Sequence, residues 1–178
     1  MEKSLRAESK RQKRALSTAV KVEGYRLRKQ LIAEIRAGAP GGDSFAPLSM
    51  IQRKRALRTK PVAPLTKAIR YHIPSQDPIE MQIGWTGPKV SKSWKRIAKK
   101  QQEGYTVSVS AKQRRFLARY GGSMGRSKYK PFFFVQKSTR QFEVPARPIM
   151  EPFWAQNQAR ATKNITRNYQ KKLRGERI

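Results

Sequence analysis

The chain has 178 residues and no cysteine, and its 41 Lys plus Arg against 11 Asp plus Glu give a net charge of +30. The missing cysteines exclude disulfides and thiolate metal sites. Basic residues run from Lys3 to Arg177, so the charge points to polyanions or strongly acidic protein surfaces as neighbours, and the 37% apolar content predicts one modest core with part of the chain ordering only against partners.

Taken in chain order, the first segment predicts a long amphipathic helix from about Ser4 to Ala37. Leu16, Val20, Gly24, Leu27, Leu31 and Ile35 recur every three or four residues and so share one face. Gly24 on that stripe costs helix propensity but lets a partner element come close. Before Arg14 the apolar pattern is thin, so residues 1–13 read as a basic arm and 14–178 as a single α+β domain. Gly38 and Pro40-Gly41-Gly42 end the helix. Residues 39–78 then read as an irregular basic connector, with short helical stretches near Leu48 to Leu57 and Leu65 to Tyr71.

Ile79, Met81, Ile83 and Trp85 alternate as in a half-buried strand closed by Gly87-Pro88. Ser91 or Ser93 caps a helix through Trp94, Ile97 and Ala98 that stops near Gly104. Tyr105, Val107 and Val109 predict a second strand. Ser110 with Gln113 is a capping-box pair opening a helix over Phe116, Leu117 and Tyr120. A flexible Gly/Ser/Lys loop over 121–130 leads to two further strand signals, Phe132 to Val135 and Phe142 to Val144, the pair suggesting a hairpin. A long C-terminal helix opens at Glu151-Pro152, with Pro152 in the first helical position, keeps Phe153, Trp154, Ala161, Ile165, Tyr169 and Leu173 mainly on one face, and ends at Gly175. The predicted fold is therefore α+β: a long N-terminal helix, a small antiparallel sheet with short helical insertions, and a long C-terminal helix.

Chemistry is hard to place on this pattern. The carboxylates are Glu2, Glu8, Glu23, Glu34, Asp43, Asp77, Glu80, Glu103, Glu143, Glu151 and Glu176, and only Asp77 and Glu80 sit close enough to invite a paired reading. A nuclease would want several carboxylates, or His with Asp or Glu, around Mg²⁺. His72 is the sole histidine and has no nucleophile motif beside it, so it reads as a partly buried or loop residue. Gly121-Gly122-Ser123-Met124-Gly125 lacks the Lys-Ser/Thr of a phosphate-binding loop and reads as a turn. No catalytic, cofactor-binding or metal-binding residue is expected, and the chain is read as no enzyme. Met1 to Arg14 lacks the apolar run of a signal peptide, and Phe132-Phe133-Phe134-Val135 is too short to span a bilayer, so no membrane association is expected.

Several segments resemble one family. Ala46-Pro47-Leu48, Arg53-Lys54-Arg55 and Lys60-Pro61-Val62-Ala63-Pro64-Leu65-Thr66-Lys67-Ala68-Ile69 follow in an order similar to the bacteriophage tail-completion and virion-morphogenesis proteins. Gln82-Ile83-Gly84-Trp85-Thr86 resembles that family's strand ending in a Val-Gly-Thr-like turn, and the helix Trp94 to Gly104 its "Ala-x-Ile-His-Gln-x-Gly" element. The most specific block is Val144-Pro145-Ala146-Arg147-Pro148-Ile149-Met150, close to "Ile-Pro-Ala-Arg-Pro-Phe-Leu" before a C-terminal amphipathic helix, with Pro145, Ala146, Arg147 and Pro148 as the motif residues. The family's His is replaced near Ile97-Ala98-Lys99, Met150-Glu151-Pro152 stands where Leu-Gly is usual, and the 105–143 insertion is large. These departures leave head-side and tail-side assembly both open.

The resemblance implies a small α+β subunit of a homo-oligomeric ring, a hexamer favoured, in the neck of a virion assembled in the host cytoplasm. Its partners would be neighbouring neck, connector and tail-tube proteins, with no cofactor. Lys10, Arg11, Lys13 and Arg14, then Arg53, Lys54 and Arg55, then Lys95, Arg96, Lys99 and Lys100 are the candidate grips on acidic ring faces. Arg126, Lys128 and Lys130 are the candidates for non-specific contact with packaged DNA. A ribosomal or other structural RNA-binding protein is the rival reading, since high charge, basic helices and an arm-like N-terminus suit it equally.

Overall fold

The computed structural model describes residues 2–42, 44–45, 63–115 and 140–178. Helix α1 spans Glu2–Ala37 and helix α3 spans Met150–Leu173. They pack antiparallel as one long hairpin: Arg11 on α1 reaches the Leu173 carbonyl at the far end of α3, while Gly41, just past α1, abuts Pro152 at the start of α3. Between them in sequence come β1 (Arg70–His72), β2 (Gln82–Gly84), α2 (Lys92–Glu103), β3 (Tyr105–Ser108) and β4 (Gln141–Val144). The architecture is α+β with mostly helical content.

The apolar stripe of α1 explains its place. Val20, Gly24, Leu27, Leu31 and Ile35 are buried as their spacing predicts, and Ala15, Ala19 and Glu23 join them. Leu16 is only half-buried. Leu27, Leu31 and Ile35 meet Leu65, Ile69, Trp85, Ala98, Ile149, Phe153 and Ala161 in a single cluster. Each of its large apolar side chains contributes about 1.5–3 kcal/mol by leaving water. Gly24 permits the close approach expected of it, since a Cβ there would lie 2.6 Å from the Met81 sulfur and 3.1 Å from the Tyr71 ring. Of the expected basic arm, residues 1–13, residues 5–13 are exposed leading turns of α1 itself.

The ends follow the glycine rule. Past α1, Gly38 (φ 87°) and Ala39 return their N–H groups to the Ile35 and Glu34 carbonyls at 3.1 Å each. Past α3, Gly175 (φ 84°) and Glu176 do the same to Lys172 and Lys171. Ser91 caps α2 by accepting from the Trp94 N–H at 3.4 Å. The capping box at Ser110 and Gln113 is formed in both directions, at 2.9 and 3.2 Å, ahead of helical residues 111–115.

Several expectations need correction. The helical stretch expected near Leu65 to Tyr71 is present as a 3-10 helix over Ala63–Ala68 but ends earlier, giving way to β1, because Ile69 is drawn fully into the core and the chain beyond it extends to pair with β2. The strand expected from Ile79 to Trp85 shortens to Gln82–Gly84, its start taken up by a turn closed between Gln76 and Ile79. Among the described residues the strands pair as two antiparallel ribbons, β1–β2 with Tyr71 opposite Ile83 and β3–β4 with Val107 opposite Phe142. Trp154 is 47% exposed, its place on the buried face taken by Asn157. Pro152 is the third residue of α3, still inside the first turn where a missing N–H goes unfelt. The strand signal at Phe132 to Val135 and the helical stretch near Leu48 to Leu57 lie outside the described residues.

Candidate polyanion interface and the motif junction

Two of the predicted basic clusters fall on described surface. On α2 the buried side is Ala98, flanked by Trp94, Gln101 and Gln102, which turns Lys95, Arg96, Lys99 and Lys100 outward. Lys92 joins them, and Glu103 is the one acid on that face, 3.8 Å from Lys99. Lys100 also lies 5.6 Å from the Tyr105 ring, so part of its charge is engaged by the aromatic face. Ile97, 45% exposed, adds an apolar spot among the cations.

The α1 cluster is less uniform. Lys13 makes a 2.6 Å ion pair with Asp77, whose carboxyl is held below its ordinary value by the Lys13 hydrogen bond first and by its charge second. Arg11 donates to the Leu173 carbonyl at 2.6 Å, so it caps the end of α3, and Glu8 lies 3.8 Å away. Lys10 and Arg14, one turn apart, are exposed on either side of it. Sequence reading missed Lys172, which the hairpin brings to this end of α1; the basic last turn of α3, Lys171 and Lys172, was the available signal. Arg53, Lys54, Arg55, Arg126, Lys128 and Lys130 lie outside the described residues.

The motif residues do something different from binding. Arg147 is buried at 4% exposure, while Pro145, Ala146 and Pro148 are not buried among the core side chains. The Arg147 N–H donates to the Gln101 carbonyl at 2.9 Å and its guanidinium meets the Gln101 side chain at 3.3 Å. Burial pulls the Arg147 pKa down from its ordinary value, opposed by Tyr105. Beside it, the Met150 N–H donates to Gln102 at 3.1 Å, satisfying an orphan donor at the start of α3. Gly104, at φ 75°, lies so close that a Cβ would be 2.8 Å from the Ala146 nitrogen, and a Cβ on Gly84 would be 3.2 Å from the Met150 sulfur. The segments around Gly84, Gln101 to Gly104 and Val144 to Met150 therefore meet at one junction joining β2, α2, β4 and α3.

A polar chain, buried at Glu23 and partly buried beyond it, runs along α1 and meets α3 through Asn164. Glu23, 1% exposed, accepts from Arg26 at 2.6 Å and from Asn164 of α3 at 3.2 Å. Arg26 also donates to Gln30, Gln30 to Glu34, and the Gly41 N–H to Glu34. Every member is satisfied, so the chain locks α3 against α1 rather than offering free valences. His72 closes β1, half-buried against Gly87. Among the described residues no group of acids or histidines is placed to hold a metal ion, and no helix is long and apolar enough to cross a membrane. Comparison of the chain with protein-family models, curated proteins and solved structures gave no match.

Proposed function

We propose that this chain is a structural phage neck protein of the tail-completion kind, which joins tail to capsid connector and catalyses nothing. The observation that carries this reading is the junction: three of the blocks that resemble the family, far apart in sequence, pack on one another through Gln101, Gln102, Gly104, Arg147 and Met150. Segments that share both a sequence pattern and a packing site behave as determinants of one fold. The rest of the molecule suits a ring subunit. The α1–α3 hairpin is a stiff strut, the β3–β4 ribbon turns Thr106, Ser108, Gln141 and Glu143 to solvent, and the α2 face offers cations to an acidic neighbour. In this reading the subunits form a homo-oligomeric ring, six-fold in preference, between neck, connector and tail-tube proteins of the virion.

The test is mass spectrometry of gradient-purified phage particles, isolated tails and host ribosomes from one infected lysate. The expected result is enrichment in joined particles at a few copies per virion. Enrichment with ribosomes and absence from particles would overturn the proposal in favour of a structural RNA-binding protein.

A further inference from the structure

At the open end of the helix hairpin, where α1 runs on past the last turn of α3, the two helices frame a groove of about 370 Å³. Its lining is Ala7, Lys10, Arg11, Arg14, Ala15, Thr18 and Lys172. At i, i+4 spacing Ala7, Arg11 and Ala15 form one row of α1, Lys10 and Arg14 form the row beside it, and Lys172 comes from the other helix. Arg11 is held in place by the Leu173 carbonyl, while Thr18 spends its hydroxyl proton on the Arg14 carbonyl within the helix. Among the described residues neither a carboxylate nor an aromatic ring lines the groove.

We propose that this groove is a binding site for the phosphodiester backbone of duplex DNA. Two adjacent rows of α1 carrying Lys10, Arg11 and Arg14, with Lys172 beside them, suit a continuous line of phosphates. Sites for single strands add aromatic platforms on which bases stack, and this one has none among the described residues. The recognition is by backbone charge alone, so it reads no sequence. The inference concerns the isolated chain and does not depend on where in a particle the protein sits.

A chain of charge +30 adheres weakly to any polyanion, so the experiment must locate the binding and not merely detect it. Fluorescence anisotropy with a labelled duplex of about 20 base pairs and arbitrary sequence, across a salt series, is compared for the full chain and two triple variants. One carries Lys10→Gln, Arg14→Gln and Lys172→Gln, which spares Arg11 and keeps good helix formers. The other carries Lys95→Gln, Arg96→Gln and Lys99→Gln on α2. Far-UV circular dichroism verifies that both keep the parent's helicity. The groove variant should bind at least about tenfold more weakly and lower the slope of log K against log salt by about two to three, at about 0.9 for each phosphate no longer neutralised, with the α2 variant near the parent. Equal losses in the two variants would mean diffuse attraction and overturn the site, as would parental binding by the groove variant. Displacement of the duplex by poly-glutamate at equal charge concentration would also overturn it, assigning the groove to an acidic protein surface.

Discussion

Glu23 is the residue whose burial most needs explanation, because an unpaired carboxylate in an apolar interface costs several kcal/mol. It is tolerated because Arg26 and Asn164 meet both of its oxygens. The two ends of the ion pair differ in their surroundings: the Glu23 side chain is 1% exposed and that of Arg26 is 29%. Glu23→Ala leaves a guanidinium that can turn to water and should cost about 1–2 kcal/mol, whereas Arg26→Ala strands a buried carboxylate and should cost about 3 kcal/mol. Urea denaturation of the two variants checks this, and equal costs would contradict the asymmetry. In the sequence Glu23 is one of eleven carboxylates with no role read for it, and its position one turn from both Val20 and Leu27 is the signal for its burial. On the exposed side of the same helix, Lys13 depresses the pKa of Asp77 below 3.8. A carboxyl depressed on folding stabilises the fold at pH above its ordinary value and loses that contribution as the pH falls through its lower, folded value. Lys13→Gln should return Asp77 toward 3.8 in a carboxyl NMR titration and remove that acid-side dependence.

At the scale of elements, the helices were legible and the strands less so, for one reason. Periodicity over helices of 36 and 24 residues averages out local exceptions, so α1 and α3 stood out despite Glu23 and Asn157 on their buried faces. The capping box at Ser110 and the stops at Gly38, Gly104 and Gly175 are chemistry confined to a few neighbouring residues, and they too could be read directly. A three-residue strand has no room for a period. β1 exists because Ile69 is pinned in the core and Tyr71 lies opposite Ile83, which are facts about distant segments. The junction was partly legible: its blocks were recognisable one by one, but nothing in them said that Gln101 would meet Arg147. Two glycines test how it is built. Gly175 has φ 84° and open space around it, so Gly175→Ala should cost only the left-handed backbone term, about 1 kcal/mol. Gly104 has φ 75° and ψ 167°, a region open essentially only to glycine, and its Cβ would also strike the Ala146 nitrogen at 2.8 Å and the Val144 carbonyl at 2.9 Å. Backbone cannot rotate away, so Gly104→Ala should cost at least about 2 kcal/mol more than Gly175→Ala. Thermal or urea unfolding separates the two, and similar costs would mean that α2 and the motif loop are not rigidly apposed.

For the whole molecule the charge balance decides how stability depends on salt, and two effects pull in opposite directions. Screening weakens attractive ion pairs, and it weakens repulsion among like charges. Among the described residues the exposed pairs are Arg11–Glu8, Lys13–Asp77 and Lys99–Glu103, two of them at 3.8 Å, and such pairs contribute little to stability. The Glu23–Arg26 pair is shielded from solvent and responds little. Against these stands the mutual repulsion within a chain of 41 cations and 11 anions. Its reach is set by the Debye length, which shrinks from about 30 Å at 0.01 M salt to about 8 Å at 0.15 M. Along α1 the exposed cations Lys10, Arg11, Lys13 and Arg14 all fall within about 6 Å of one another along the axis, and Lys171 and Lys172 lie on the neighbouring helix end. At low salt these groups repel across the whole hairpin end; at about 0.15 M only the nearest still interact. Repulsion therefore outweighs attraction, and Tm should rise with sodium chloride over this range, followed by far-UV circular dichroism. Triple neutralisation at Lys10, Arg14 and Lys172 should raise Tm at low salt and flatten the dependence. A Tm that falls with salt would mean that the surface ion pairs outweigh the repulsion, and that the charge of this chain is better matched internally than its composition implies.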